Sequence, residues 1–438
     1  MQRRRLSDAT QALWFKPGLA VFGALAIGAA LSPIDVRPGS VLWPIAFHGD
    51  SSDARQLLVV VTGTMITTTS LVFALTVVTL QIASTQFSPR LLRTFLRDSG
   101  TQLVLSGFVG TVSYSLAGLF SVGTGTTYLP RLGITAALTF ALISVGLLVY
   151  YIGHITNAIR IDTIMRTVED DTRRILRRDH PIVDGDGSDP DLVAVTTPPA
   201  HAVTVLAPVD GYLQGVHVKL LSLAVRKRVT IQVVPLVGYY VVAGRQLALV
   251  WSDYDTPLKQ STLRAIAALI DINPERRIER DIGLGLRQLV DITNRAMSTG
   301  QNDPYTGTQA VHHLTSLLVD AAPRSFSTIA ACDDDATPRV VVPVMSFPTH
   351  LKVVCSHIRQ GGLERHPRVN VELLRMLGLI GEAAVGEARV RAVRHEVELV
   401  MADAVRTIPA QADRDEILDL AKDVLGTLDH RDAEHASC

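Results

Sequence analysis

Three arginines follow a proline at the end of a long apolar run. They are Arg90, Arg93 and Arg97, in "SPRLLRTFLRDSG". On a helix they share one face, and Leu91, Leu92, Phe95 and Leu96 share the other. That is the pattern of a short helix lying in a membrane interface, its guanidinium groups among lipid headgroups. The alternative is a helix packed on a soluble domain. A second candidate is the start of a helix at "NDPYTGT", where Pro304 suits the first helical position. Asn302, Asp303 and Thr306 there frame either a weak anion site on free backbone N–H groups or a plain N-cap. His312 and His313 are adjacent, so they project about 100° apart and make a poor metal pair. His350, Cys355 and His357 fall on one expected helix without the spacing of a ligand set. The three cysteines, Cys332, Cys355 and Cys438, form neither a CxxC nor a Cys/His metal pattern. No GxGxxG, P-loop, GxSxG or HExxH motif occurs. No catalytic residue, metal ligand or cofactor is therefore assigned. The residue types favour a non-enzymatic protein over a membrane-tethered enzyme built around residues 281–306.

The elements that must position these residues are unequal in character. Lys plus Arg equals Asp plus Glu at 42 each, so no basic field marks a nucleic-acid partner. Mean hydropathy is nonetheless positive, which points to an apolar segment and a polar one in the same chain. Four stretches carry no Asp, Glu, Lys or Arg: residues 17–34, 56–89, 99–130 and 132–159. A helix needs about 20 apolar residues to cross the hydrocarbon core. The expectation is a transmembrane domain over 1–153, with spans at about 17–34, 57–86, 101–122 and 132–153. "MQRRR", an apolar run and "GAALS" also fit the layout of a signal peptide, with Gly28 and Ala30 before the cut. Lysines and arginines near the helix ends number thirteen on one side and three on the other. The positive-inside rule places the richer side, and with it both termini, in the cytoplasm of a cell with an inner (plasma) membrane.

The second run is long for a span, so its helix must tilt or project. Pro89 disfavours helix at the preceding residue. Thr62, Thr69, Thr76 and Thr79 fall within a third of its circumference. A hydroxyl in lipid can bond its own backbone carbonyl one turn back, so packing is the favoured reading over a conduction path. Ala24 with Gly28, and Ser106 with Gly110, are spaced for close helix contacts. These surfaces lead to an expected homo-oligomer in the lipid bilayer, with Thr62, Thr69 and Thr76 facing a neighbouring helix.

The rest of the chain reads as an α+β cytoplasmic domain. A connecting helix over 154–180 carries Ile161, Ile164, Val168 and Ile175 at helical spacing, with Glu169–Arg173 and Asp170–Arg174 as i,i+4 pairs. A Pro/Gly/Asp-rich linker covers 181–201. A small β module over 202–256 has turns at Asp210–Gly211 and Ala243–Gly244, and its "GYYVVAGRQLALV" resembles the barrel-sandwich modules of biotinyl and lipoyl domains. Neither Lys219 nor Lys227 sits between methionines, so that shape brings no cofactor. Residues 257–438 read as mainly helical, with one helix over "PLKQSTLRAIAALIDI", a second stopped by Gly300 and two strands around "CDDDATPRVVVPV".

"QFSPRLLRTFLRDSGTQ", "GYYVVAGRQLALV" and "LRQLVDITNRAMSTGQNDPYT" together resemble a bacterial predicted-membrane-protein family of unknown function. The resemblance implies an N-terminal transmembrane bundle followed by a cytoplasmic domain. It offers no established activity and therefore no functional residue.

Overall fold

The computed structural model describes residues 14–32, 34, 36, 40, 43–86, 98–122, 129–158, 160–183, 197–217, 219–254, 257–278, 281–326, 329–333, 335, 337–361 and 366–436. Arg90, Arg93 and Arg97 lie outside the described residues. The chain forms two compact units, Met1–Ile164 and Met165–Cys438.

The first unit is helical: α1 (Phe15–Leu31), α2 (Ser51–Gln86), α3 (Ser99–Ser121) and α4 (Arg131–Ala158). Asp50 starts α2 by accepting the N–H groups of Ser52 and Asp53 at 2.8 Å each. With 36 residues, α2 is about 54 Å long, well beyond a hydrocarbon core of about 30 Å. Among the described residues, three helices are long and apolar enough to cross a membrane, at Ser51–Ile82, Ser99–Ser121 and Arg131–Asn157. The fourth expected span, α1, has 17 residues and reaches about 26 Å, so it falls short of that standard.

Within this unit α3 is the hub and packs on α1, α2 and α4. Ala24, Leu58, Tyr114, Ile134 and Ala137 form one buried cluster; Met65, Val72, Val104, Phe108 and Tyr151 form another. Close approach of α1 to α3 follows from small residues: a Cβ on Gly110 would lie 3.8 Å from Ala20, and one on Gly28 3.7 Å from the Tyr114 ring. The threonines of α2 behave as packing residues. Thr62, Thr69, Thr76 and Thr79 donate to the carbonyls of Leu58, Met65, Val72 and Leu75, at 2.6–2.9 Å. Thr62, Thr76 and Thr79 are buried within their own chain, so they are not the free surface that the expected contact with another copy needs.

The boundary falls inside α5 (Ile161–Asp179), whose buried stripe is Ile164, Met165, Val168, Thr172, Ile175 and Leu176. An α+β domain follows: β1 (Val203–Leu206), β2 (Gly211–Val216), α6 (Lys219–Lys227), β3 (Val229–Val233), β4 (Tyr240–Val241), β5 (Gln246–Ser252), α7 (Gln260–Leu269), β6 (Ile270–Asn273), α8 (Ile282–Ala296), α9 (Pro304–Ala321), β7 (Ile329–Cys332), β8 (Pro338–Val342), α10 (Phe347–Gln360), α11 (Pro367–Ala383), α12 (Glu387–Thr407) and α13 (Gln411–Ala436).

The strands do not form a self-contained module over 202–256. They make a five-stranded sheet in the order β1-β5-β3-β8-β7 and a three-stranded sheet β4-β2-β6. The first is antiparallel except where β3 meets β8 in parallel, so a strand from residues 338–342 completes a sheet begun at 203. The strands flanking each expected turn, β1 with β2 and β4 with β5, belong to different sheets. The helix expected over "PLKQSTLRAIAALIDI" stops at Leu269, because Ile270–Asn273 pairs with β2. Gly211 makes that pairing possible: its φ is 152°, and a Cβ there would lie 2.6 Å from the Asn273 carbonyl oxygen. Leu213, Leu220, Val229, Ile231, Leu247, Val250 and Ile266 fill the core between these sheets and helices α6 and α7.

Helix α8 lies so close to α5 that a Cβ on Gly285 would overlap the Thr172 hydroxyl. That hydroxyl is buried and donates to the Val168 carbonyl at 2.6 Å, so it cannot swing away. Gly285→Ala is expected to destabilise the domain by about 1–3 kcal/mol, the range for overpacking a tight core. Thermal unfolding of the full chain in detergent checks this; a melting temperature equal to the parent would contradict it.

Candidate functional site

The richest constellation of chemistry-bearing side chains lies along α5 and the segment that follows α9. On α5, Glu169 accepts from Arg173 at 2.5 Å and pairs with the ring Nδ1 of His313 on α9. Arg173 also donates to the Ser316 hydroxyl. One turn further along α9, Asp320 faces Arg173, Arg177 and Arg324 at 3.6, 3.3 and 2.8 Å. Arg324 is buried and donates to the His180 carbonyl at 2.9 Å, just past the end of α5. Backbone pairing closes the arrangement: Val183 donates to Pro323 and Ser325 donates to Pro181, at 3.0 and 2.9 Å. The i,i+4 pair Glu169–Arg173 forms as the spacing predicts, whereas Arg174 turns to Asp171 at 2.8 Å instead of Asp170.

From His180 the cluster continues inward. Its ring stacks on Phe326 at 4.3 Å, and Phe326 meets His350 edge-on at 5.6 Å. Arg389, 0% exposed, donates to the Ala322 carbonyl at 2.6 Å and lies over the Phe347 ring at 5.2 Å. Apolar rings take the place of water around this cation. On the other side of His350, a Cβ at Gly283 would be 3.2 Å both from the imidazole Cε1 and from the Asp281 carboxylate. Asp281 caps α8 at Leu284 N and is held by Arg276 at 2.6 Å.

The electrostatics follow from burial. Glu169 is pushed up by burial, but the hydrogen bonds from His313 and Ser316 and the charge of Arg173 outweigh this and hold it below its usual value. His350 is pushed down to about 3, by burial first and then by the neighbouring His180 and Arg276; it is a neutral imidazole. Cys355 is buried and its thiol is pushed well up, so it is not a reactive thiolate. These groups form a lock rather than a nucleophile–base pair.

In the first unit, Asp98 caps α3 by accepting from Thr101 N at 2.8 Å and its hydroxyl at 2.7 Å, and meets His154 Nε2 of α4 at 2.6 Å. Two further polar links join helices: Thr76 to Tyr151 at 2.7 Å and Thr111 to Ser144 at 3.0 Å.

The residues singled out by sequence are placed as follows. Asp303 accepts from Thr306 N at 3.1 Å and from its hydroxyl at 2.6 Å, and these bonds hold its carboxyl below the usual range. Its own carboxylate thus occupies the helix N-terminus beside Asn302, whose φ is 47°. His312 and His313 go to different helices, to Glu372 of α11 at 3.1 Å and to Glu169 of α5. Among the described residues no three His, Cys, Asp or Glu side chains come together as a metal set. Sequence reasoning missed Asp320, Arg324, Arg389 and the Asp98–His154 pair, and it weighed His350 only as a metal ligand. Only His154, a lone ionisable residue in "YYIGHI", left a signal.

The family described as "Predicted membrane protein (DUF2254)" matches residues 10–378. The uncharacterized protein Rv1290c of Mycobacterium tuberculosis is 39% identical over 431 residues, covering 96% of this chain and 81% of the relative. The uncharacterized protein Mb1321c of Mycobacterium bovis matches to the same extent. The chain belongs to this predicted membrane protein family. No solved structure matches it.

Two outcomes follow. The folded-state pKa of His350 lies below its ordinary 6.5, so its contribution to stability is complete above pH 6.5 and is lost as pH falls toward 3. Going from pH 7 to pH 5 should cost about 2 kcal/mol, and His350→Leu should flatten that slope. Chemical denaturation at both pH values checks this; an equal slope in the variant would contradict it. Asp320→Asn, which weakens three partly buried ion pairs, should cost about 1–2 kcal/mol. Because Arg324 keeps its His180 bond, the variant should still fold. Denaturation at low salt reads the loss, and an unchanged midpoint would speak against it.

Proposed function

We propose that this chain is a multi-pass plasma-membrane protein, non-enzymatic, whose cytoplasmic domain senses or docks a partner and biases the membrane bundle, in the manner of a channel or transport accessory. The observation that carries the reading is continuity: α4 ends at Ala158, α5 begins at Ile161, and α5 is pinned to α9 by the Glu169, Arg173 and Asp320 network. A change that loosens α9 therefore reaches a helix joined to a membrane-spanning one by two residues. Four spans, α1 included, and both termini in the cytoplasm accord with the thirteen-to-three split of basic residues. Assembly into a homo-oligomer is part of the proposal, through lipid-facing surfaces other than the buried threonines. An enzyme centred on residues 281–306 is less well supported, since Asp281 and Asp303 are both engaged as caps.

Spin labels at Phe120 and Leu142, both strongly exposed, in a background without native cysteines test the coupling. Asp320→Asn should shift their distance distribution, and a Gly-Ser insertion after Arg160 should abolish that response. Distances indifferent to Asp320→Asn would contradict the coupling. A periplasm-active reporter fused after Cys438 should be silent; activity there would reverse the orientation.

A further inference from the structure

The first unit contains a cavity of about 520 Å³ bounded by α1, α2, α3 and α4. Leu25 and Ala29 contribute from α1, Leu58 from α2, Ala117 from α3 and Ile134 from α4. Among the described residues, no Asp, Glu, Lys, Arg or His lines it. Of the three hydroxyls on its wall, the Tyr114 hydroxyl donates to the Gly133 carbonyl at 3.0 Å and the Ser121 hydroxyl to the Ala117 carbonyl at 3.3 Å. Those two protons are spent inside the protein. Most of the wall is apolar, and apolar cavities of about 150 Å³ already accept a hydrocarbon ring. The volume here falls within the range of about 300–1,000 Å³ that ligand sites occupy.

Glycines keep the space open. A Cβ on Gly118 would come within 3.3 Å of Leu58, and one on Gly133 within 3.6 Å of the Tyr114 hydroxyl. The wall also reaches the outside of the bundle: Leu25 is 43% exposed and Ala29 is exposed. In a chain with membrane-spanning helices that outside is lipid. Next to the wall residue Pro130, Arg131 donates to the Phe47 carbonyl at 2.6 Å and its guanidinium lies 5.4 Å from the Trp43 ring. A cation beside an indole is a pairing suited to the headgroup level of a bilayer.

We propose that this cavity takes one acyl chain of a membrane phospholipid whose phosphate lies toward Arg131. The occupant is chosen because the wall recognises hydrocarbon, meets the lipid-facing surface and has a cation at its margin. The proposal rests on α1 lying in the bilayer with α2, α3 and α4.

The test uses the full chain in nanodiscs of a phosphatidylglycerol that carries a photoactivatable diazirine along one acyl chain, with labelled residues mapped by mass spectrometry. Leu58 and Ile134, each 1% exposed, should be labelled together with the outward-facing Leu142 at 73%. Ala29→Phe fills the cavity from its exposed side. It should cut labelling of Leu58 and Ile134 by about tenfold, the effect of displacing two methylenes, while labelling of Leu142 and the melting temperature stay as in the parent. Labelling of Leu142 without Leu58 and Ile134, or indifference to Ala29→Phe, would overturn the lipid site while leaving the membrane reading intact. Absence of labelling at all three would overturn both. A diazirine alkane added from solution that reaches Leu58 where the phospholipid probe does not would also overturn the proposal, in favour of a free apolar ligand.

Discussion

One carboxylate, Asp320, faces the guanidinium groups of Arg173, Arg177 and Arg324. Each pair taken alone is worth little where water reaches it. Their value lies in what they connect. Two of the arginines belong to α5, which follows the apolar helix α4, and the third is buried with a second bond to the chain just past α5. The apolar stripe of α5 gives the attraction, and the ion network gives the register. Because α5 carries several charges, it cannot bury its apolar face against α8 and α9 unless those charges are answered by acids at matching heights.

Behind this surface network lies a second constraint of a different kind. Arg389 and His350 are buried among Phe326 and Phe347. The arginine must keep its charge and is served by a backbone carbonyl and two rings. The histidine gives up its charge, because burial among these rings, with Arg276 and His180 nearby, makes a charged imidazole costlier than a neutral one. The domain core thus contains a protonation state it must maintain, which makes it sensitive to acid in a way an all-aliphatic core would not be.

The long apolar helices were legible because a charge-free run is a one-dimensional signal, one that a bilayer would enforce. The Asp303 N-cap was legible for a similar reason, since its partner Thr306 is three residues away. Sheet organisation was hidden: β3 finds β8 more than a hundred residues later, and β2 takes a strand from what reads locally as the end of a helix. The ion network escaped because Glu169 and His313, or Arg173 and Asp320, are far apart in sequence and ordinary in type. For α1 the charge-free run left the outcome open, because the helix that forms there has 17 residues and begins with Lys16 in its first turn.

The claim on which the account turns is that α5 belongs mechanically to the C-terminal domain while continuing from the membrane bundle. Hydrogen–deuterium exchange of the full chain in nanodiscs measures this directly. The account predicts that amides of residues 168–178 exchange as slowly as those of α9, and that the two segments open together under mild denaturant. If those amides exchanged within seconds, like a tether, while α9 stayed protected, the fastening would be absent and the coupling between the two halves would have no physical basis.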